Sequence, residues 1–380
     1  MTTERAGTLR VAIGAGGTGG HIYPGLAVAK ALEDVTDGNV EICFISTKRG
    51  LQLTLVPQYG YPLFTFDMIG LRGVKSALLL PPQLIRSGLG VRRLIKERGI
   101  DVVVGMGGYP SAPAMVGARL AGIPSLIHES NAVPGRANAF IARLTPHIAI
   151  AFERARRNLP KRADVRAVGM PLMPDVGQMD RATLRQPARQ RYGLTDGQKL
   201  VVVSGGSLGA TSLTNAALDL AEQWKDREDI VLEIKTGPGL LDEAVGRLAG
   251  NRAARPVAYI DRMDDAYAAS DVMVCRCGAG TVAEVSHVGV ASVMVPYPHA
   301  PGDHQLHNAQ ALADVGAAVI IEDHLLTAQT LGPVLDDLLS DDVRREAMAA
   351  NARLVDHGAA AETVARWAVQ LAGRTDVLTS

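Results

Sequence analysis

Two glycine-rich turns, each placed directly after a short apolar strand, decide the fold of this chain. The first strand reads Leu9-Arg10-Val11-Ala12-Ile13 and runs into Gly14-Ala15-Gly16-Gly17-Thr18-Gly19-Gly20-His21. The second reads Leu200-Val201-Val202-Val203 and runs into Ser204-Gly205-Gly206-Ser207-Leu208-Gly209-Ala210. A helix-period apolar pattern follows each turn, so each predicts a helix N-terminus whose N–H groups favour an anion. Together they predict twin nucleotide-binding-type domains with a cleft between them and a phosphorylated ligand.

Other short apolar runs alternate with helix-period segments, which predicts parallel sheets built from right-handed βα units. Strands are predicted at 9–13, 40–45, 102–104, 124–127 and 148–151, and again at 200–203, 231–235, 257–259, 272–275 and 292–295. Ligands of such sheets bind beyond the carboxyl ends of the strands. The residues that follow the strands, among them 105–109 and 128–131, are therefore the candidates for a site.

A glycine and two prolines mark the middle of the chain. The run Gly169-Met170-Pro171-Leu172-Met173-Pro174 predicts an interdomain linker. We expect an N-terminal domain of residues 1–169 and a C-terminal domain of residues 170–358. The last helix-period run, 359–372, has an apolar face, and we expect it to pack back on the N-terminal domain.

Composition excludes several classes of protein. The 380 residues include 39 lysines and arginines and 39 aspartates and glutamates, so the formal net charge is zero. A neutral chain gives no reason to expect a nucleic-acid partner. The spacing of the three cysteines, Cys43, Cys275 and Cys277, fits neither a redox pair nor a zinc site. This usage is typical of a protein in the reducing cytosol. The polar start and the lack of an apolar run near the roughly 20 residues that span a bilayer predict a protein that is neither secreted nor transmembrane.

Five motifs, in matching order over roughly residues 9 to 310, resemble the MurG family. They are Gly16–His21 with Pro24-Gly25, Gly-Met-Gly-Gly-Tyr at 105–109, His-Glu-Ser-Asn at 128–131, the second glycine turn at 204–210, and Cys-Arg-Cys-Gly-Ala-Gly-Thr-Val-Ala-Glu at 275–284. Members are bacterial N-acetylglucosaminyltransferases that convert lipid I to lipid II in peptidoglycan synthesis. The resemblance implies an α/β protein of the two-domain GT-B fold.

The implied reaction is an inverting transfer of N-acetylglucosamine from UDP-N-acetylglucosamine to the C4 hydroxyl of a muramyl sugar on undecaprenyl pyrophosphate. GT-B leaving groups are stabilised by backbone and side-chain donors, so neither a cofactor nor a tightly bound metal is implied. The loop residues His299, Asp303, His304 and His307 are close in sequence, but their spacing fits no common zinc pattern.

Such a reaction needs a base near the attacking hydroxyl. His21 is our candidate, because it lies at the mouth of the first glycine turn and imidazole exchanges its proton near neutral pH. Alternatively, His21 caps the helix or binds an acceptor phosphate, and Glu129 is the rival base. The predicted contacts to the acceptor and its phosphate are Gly16, Gly17, Gly107, Gly108 and Tyr109.

The resemblance assigns the donor mainly to the C-terminal domain. Glu284 would accept hydrogen bonds from the ribose hydroxyls, Ile260 would meet the uracil through its backbone, and Ser207 would bind the diphosphate. His304 and Gln305 would reach the donor sugar, with Asn131 contacting it from the other domain. The remaining predicted donor contacts are Thr18, Gly19, Gly20, Ala279, Gly280 and Thr281.

Several positions depart from the family pattern, including the linker, which reads Gly-Met-Pro-Leu-Met at 169–173 where the family has Gly-Asn-Pro-Val-Arg. Ser130 and Leu208 stand where the family usually has glutamine, and Cys277 stands where it has serine. Met173 replaces a linker arginine that approaches the donor phosphate in the family. A specialised paralogue that glycosylates another acceptor therefore stays open.

A basic-framed apolar run suggests contact with a membrane. Residues 71–86 include the predicted membrane residues Leu78, Leu79, Leu80, Leu84 and Ile85. This composition suits a peripheral patch on the anionic cytoplasmic leaflet. An ordinary core helix with a solvated basic face is the alternative.

Three other functions share some of these features. The first glycine turn also fits the dinucleotide fingerprint of an NAD-dependent dehydrogenase, but the strand that ends at Thr47 lacks the acidic ribose partner. A UDP-N-acetylglucosamine 2-epimerase would share the fold and the donor. A non-catalytic lipid-binding scaffold would bind membranes without turning over a donor.

Overall fold

The chain folds into two compact units. The structure, a computed structural model, describes residues 7–68, 73–206 and 209–379, with the backbone alone from 73 to 81. The first unit comprises Met1–Met173 and Ala359–Ser380, and the second comprises Pro174–Gly358. Residues 168–173 form neither helix nor strand, and Met173 packs against the core of the first unit. The division therefore falls after Met173 instead of after residue 169.

The first unit is built on a parallel sheet. Its seven described strands lie in the order β3-β2-β1-β4-β5-β6-β7. The strands are β1 (Leu9–Gly14), β2 (Val40–Thr47), β3 (Leu63–Phe66), β4 (Val102–Gly105), β5 (Ser125–Glu129), β6 (His147–Ile150) and β7 (Asp164–Ala167). The helices are α1 (Gly19–Val35), α2 (Gln52–Gln58), α3 (Gly73–Arg98), α4 (Ala112–Ala121), α5 (Arg136–Ile141) and, from the C-terminus, α15 (Ala360–Leu371).

The second unit repeats this plan. Over the residues described, its strands lie in the order β10-β9-β8-β11-β12-β13, all parallel. They are β8 (Lys199–Ser204), β9 (Ile230–Lys235), β10 (Ala254–Val257), β11 (Val272–Arg276), β12 (Ala291–Val295) and β13 (Ala318–Ile320). The helices are α6 (Pro174–Gly177), α7 (Arg181–Arg191), α8 (Thr211–Gln223), α9 (Leu241–Arg247), α10 (Met263–Ala269), α11 (Ala279–Val288), α12 (His304–Ala313), α13 (Ala328–Ser340) and α14 (Asp342–Arg353).

Strand β1 shows why both faces of the first sheet are covered. Its alternate residues point to opposite faces, as the strand period of two requires. Leu9, Val11 and Ile13 join the apolar cluster that contains α1 and α15, whereas Ala12 joins the cluster of α3 and α4. Strands buried on both faces read as continuous apolar runs, which is how the sequence revealed them.

The predicted parallel α/β class is confirmed, and the differences concern the sheet edges. The predicted strands did not include β3, β7 or β13, and each of these lies at an edge of its sheet. The edge strand β10 covers Ala254–Val257 instead of 257–259. Pro256, which has no N–H to donate, is tolerated there because one side of an edge strand has no neighbour.

Candidate active site

The strand order of the first sheet reverses direction between β1 and β4. Ligands of open parallel sheets bind at such a switch point, beyond the carboxyl ends of the strands. Two of the predicted turns lie there, because residues 15–18 follow β1 and residues 106–108 follow β4. Gly14 and Gly105 are directly paired in the sheet, so both turns start at the same level.

His21 lies in the first turn of α1 and beside the second of these turns. Its Nδ1 lies 3.5 Å from the Thr18 hydroxyl, and a Cβ added at Gly108 would approach its Cε1 to 3.3 Å. Gly108 also has φ of 72°, a conformation that favours glycine. The structure therefore brings together His21, Thr18 and Gly108, with Tyr109 next in the chain.

The first glycine turn is shaped by a glutamine that the motif search missed. Gln52, fully buried in α2, accepts a hydrogen bond from the Gly17 N–H at 3.0 Å and donates to the Thr47 carbonyl at 2.9 Å. Thr18 is the N-cap of α1, but its side chain makes no capping hydrogen bond to the helix. Gly19 and Gly20 open that helix, so its first N–H groups are not covered by a cap.

Glu129 is buried at the end of β5 and accepts hydrogen bonds from the residues that follow this strand. Its Oε1 accepts the Asn131 backbone N–H at 2.8 Å, and its Oε2 accepts the Asn138 amide at 2.8 Å and the Gly135 N–H at 3.3 Å. Burial raises the pKa of this carboxyl to about 7, although the hydrogen bonds oppose the shift. Both oxygens are thus used within the loop, which favours His21 over Glu129 as the group that faces a substrate.

Asn138 connects this carboxylate to the Gly107–Gly108 turn. It is buried in α5, donates to Glu129, and accepts the Gly108 N–H through Oδ1 at 3.1 Å. A Cβ at Gly107 would come within 2.8 Å of the Asn138 amide nitrogen. The carboxylate therefore positions the turn beside His21 through Asn138, a role that no sequence motif indicated.

We expect Glu129→Gln to change how stability depends on pH. Glu129 binds its proton more tightly in the folded protein (pKa about 7) than in the unfolded chain (4.5), so it costs stability as the pH rises through that interval. Glutamine does not titrate, so the variant does not lose this stability. Relative to the wild type, its free energy of unfolding should rise by roughly 2 kcal/mol between pH 5 and pH 7. Urea unfolding at both pH values measures the difference. Parallel stability curves for the two proteins would contradict it.

His128 is a neutral, fully buried neighbour of Glu129. Its Nε2 lies 2.9 Å from the Gly169 carbonyl, which can only accept, so Nε2 carries the proton. Nδ1 then accepts from the Ser130 hydroxyl at 3.3 Å. Burial lowers the pKa of His128 to about 4. Ser130, one of the departures from the family pattern, thus completes a hydrogen-bond chain that fixes the start of the linker.

The second sheet has its own switch point, between β8 and β11. The turn after β8 needs glycine, because a Cβ at Gly205 would come within 2.5 Å of the Ala210 nitrogen. Ser207 and Leu208 of this turn lie outside the described residues. The turn after β11 leads into α11, whose first residues are the predicted Ala279, Gly280 and Thr281.

Glu284 lies one turn further along α11. Its Oε2 accepts a hydrogen bond from the hydroxyl of the buried Tyr267 at 2.7 Å. Burial raises the pKa of Glu284, against the lowering effect of this bond. Among the described residues, Oε1 has no protein donor, which leaves one carboxylate oxygen for hydroxyls of a ligand. Ile260 lies half-buried in the loop after β10, at the same carboxyl edge of the sheet.

Gln305 and His304 open α12, and both have local partners. The Gln305 side-chain oxygen accepts the N–H groups of Cys277 at 3.2 Å and Tyr297 at 3.0 Å, so it joins two loops. His304 Nδ1 lies 3.0 Å from the Pro301 carbonyl and therefore carries the proton. The Cys277 thiol is fully buried, and burial raises its pKa. In the part of the chain that is described, no cluster of three His, Cys, Asp or Glu is placed to hold a metal.

Arg276 is a buried cation that sequence reasoning left out. It forms an ion pair with Asp323 at 2.6 Å, donates to the Ser212 hydroxyl at 2.8 Å, and donates to the Pro296 carbonyl at 3.1 Å. These partners belong to the loop after β13, the first turn of α8 and the loop after β12. Arg276 therefore ties together the segments around the second switch point.

The predicted membrane residues lie on α3. Leu78, Leu79 and Leu80 lie outside the residues whose side chains are described. Leu84 is buried in the core between α3 and α4, and this burial removes it from the predicted patch. Ile85 is 58% exposed. Within the described ranges, no helix combines the length and apolarity that crossing a bilayer requires.

Two parallel-sheet units of this kind are typical of the GT-B fold of glycosyltransferases. The glycosyltransferase family 28 N-terminal domain matches residues 11–150, and the family 28 C-terminal domain matches residues 200–366. The crystal structure of MurG from Acinetobacter baumannii covers 95% of this chain and 99% of its own, with a TM-score of 0.76 and 29% identity. The chain belongs to the MurG family within glycosyltransferase family 28.

Two relatives illustrate the extent of the match. The protein of Moorella thermoacetica is 36% identical over 94% of this chain and 97% of its own length. That of Mycolicibacterium vanbaalenii is 38% identical over 96% of this chain and 90% of its own. Both are named UDP-N-acetylglucosamine–N-acetylmuramyl-(pentapeptide) pyrophosphoryl-undecaprenol N-acetylglucosamine transferase.

Proposed function

We propose that this protein transfers N-acetylglucosamine from UDP-N-acetylglucosamine to the C4 hydroxyl of undecaprenyl-pyrophosphoryl-N-acetylmuramyl-pentapeptide. This step converts lipid I to lipid II in peptidoglycan synthesis. The observation that carries the proposal is the likeness to transferases of that name along nearly the whole chain. Glycine turns at both switch points support it, because they suit phosphorylated substrates.

The chemistry divides between the two units. In the second unit, Glu284 and the first turn of α11 bind the uridine end of the donor. In the first unit, His21 takes the proton of the acceptor hydroxyl as that oxygen bonds to the anomeric carbon. The bond from this carbon to the diphosphate breaks at the same time, and its electron pair leaves with UDP. Attack from the opposite face inverts the anomeric configuration.

The test is transfer of radiolabelled sugar to a lipid I analogue. We expect a labelled disaccharide lipid with acceptor and no reaction of the donor without it. Formation of the 2-epimer in the absence of acceptor would instead favour a 2-epimerase. Transfer to a different lipid-linked sugar, with lipid I inert, would favour a paralogue with another acceptor.

We also propose that α3 holds the enzyme on the cytoplasmic face of the membrane. Ile85 and Leu89 are exposed apolar residues one helical turn apart, and Arg86 and Arg93 are exposed on the same helix. Leu120 of α4 is 44% exposed, and its side chain lies next to Gly88 of α3. Exposed apolar side chains beside arginines suit an anionic leaflet.

Replacing both Ile85 and Leu89 by glutamate should weaken binding to phosphatidylglycerol vesicles about tenfold or more, because apolar contact and charge attraction are both lost. Vesicle co-sedimentation measures the effect. The matched control is Leu354→Glu, since Leu354 is 75% exposed in the second unit. Equal vesicle binding by the double variant and this control would place the membrane contact elsewhere.

A further inference from the structure

Lys235 is the last residue of β9 and lies at the second switch point. In the sheet it pairs directly with Ser204, the last residue of β8 before the glycine turn. Its ammonium donates a hydrogen bond to the Gly206 carbonyl at 3.0 Å. The positive charge is therefore held against the backbone of the glycine turn.

This ammonium has no carboxylate partner among the described residues. Several other basic side chains of the second unit do have a carboxylate partner, as Lys199 has in Asp342 and Arg247 has in Asp219. The ammonium also makes a cation–π contact with the Tyr259 ring, whose centroid lies 5.9 Å from Nζ. Lys235 is half-buried, and burial lowers its pKa. A partly desolvated cation without a counter-charge is stabilised when an anion binds beside it.

The backbone around Lys235 is arranged for the same kind of ligand. The Gly206 carbonyl also accepts the Gly209 N–H at 3.3 Å, so one oxygen links the turn and the lysine. Helix α8 follows with Ala210 as its N-cap, a residue that has no side chain to cap the helix. The glycine turn therefore contacts the ammonium at Gly206 and continues into the uncapped N-terminus of α8.

We propose that Lys235 binds the diphosphate of the nucleotide sugar and stabilises the charge that grows on it as the sugar leaves. The inference rests on the proposed function, because a nucleoside diphosphate donor is what brings these phosphates to the turn. When the bond between the anomeric carbon and the diphosphate oxygen breaks, its electron pair stays on that oxygen. The ammonium stabilises this charge without transferring a proton.

Calorimetric titration of UDP and uridine into Lys235→Met tests the inference. Methionine keeps the unbranched apolar stem of the side chain and removes the terminal ammonium, so UDP affinity should fall about tenfold or more, as for loss of a charge-assisted hydrogen bond. Uridine affinity should not change, because uridine carries no phosphate. Lys235→Arg should keep most of the UDP affinity.

Lys225→Met is the matched control. Lys225 is exposed just beyond the far end of α8, a helix of 13 residues, and so lies about 20 Å from the turn. Its loss removes the same charge and should leave both affinities unchanged. Uridine binding also reports whether each variant is folded, and Lys235→Gln provides a second neutral side chain if Lys235→Met is unstable.

Two results would overturn the inference. One is equal UDP affinity in the Lys235 and Lys225 variants. The other is an equal loss of uridine and UDP affinity in Lys235→Met, which would make the lysine a support for the turn only. Failure of the proposed function looks different, since the wild type would then bind UDP, with Lys235 contributing, yet transfer no sugar to lipid I.

Discussion

His21→Ala is expected to lower kcat by roughly 100-fold or more while leaving the donor KM nearly unchanged. The imidazole lies against the Gly107–Gly108 turn, at the edge where β1 and β4 end. A base held there lowers the barrier only when the acceptor hydroxyl attacks, so its loss should affect turnover more than binding. Steady-state kinetics with the donor and acceptor varied separately measure both quantities.

Glu129→Gln is the comparison for that experiment. Its carboxylate is buried and receives loop hydrogen bonds, so we expect a smaller loss of kcat than for His21→Ala. A kcat of His21→Ala within a few-fold of wild type, together with a raised acceptor KM, would show that His21 only positions the acceptor. If neither substitution slows transfer, proton abstraction does not take place in the first unit.

Glu284→Ala should raise the donor KM by roughly 10- to 100-fold. A carboxylate can accept from two neighbouring hydroxyls, and hydrogen bonds to charged groups contribute about 1.5–3 kcal/mol. In the described part of the chain, one carboxylate oxygen of Glu284 has no protein donor, while the other accepts from Tyr267. We expect kcat to change much less, because the ribose lies away from the bond that breaks.

Tyr267→Phe separates this binding role from local structure. It removes the 2.7 Å hydrogen bond to Glu284 and keeps the carboxylate. The donor KM should then change by less than about threefold, although stability should fall by about 1 kcal/mol. An unchanged donor KM in a folded Glu284→Ala protein would refute the assignment of the ribose site.

The sequence predicted the central strands of both sheets because their burial on both faces requires continuous apolar runs. It did not predict the edge strands β3, β7 and β13, which are only three or four residues long and contain no fully buried residue. The glycine turns were found for a similar reason. Only glycine fits where the Gly205 position meets the Ala210 nitrogen, so the constraint is visible in the sequence itself.

The supporting residues of the site were harder to predict. Asn138 and Gln52 each accept a hydrogen bond from the backbone N–H of a glycine turn, and neither has a spacing that distinguishes it from a surface amide. Glu129 was predicted as a base because the sequence does not reveal how many loop donors surround it. Lys235 ends a predicted strand, so the rule that ligands bind beyond carboxyl ends could have identified it.

The discontinuity of the first unit has a consequence for biosynthesis. Trp367 and Val364 of α15 belong to the same apolar cluster as Leu9 and Val11, and the Thr379 N–H donates to the Val35 carbonyl at 2.8 Å. A ribosome that has translated the whole second unit has therefore not yet supplied α15, which covers this face of the first sheet together with α1. Until α15 emerges, the part of that face which it covers is exposed apolar surface, a feature that promotes aggregation and engages chaperones. A helix made after the second unit thus completes the unit that began to form before it.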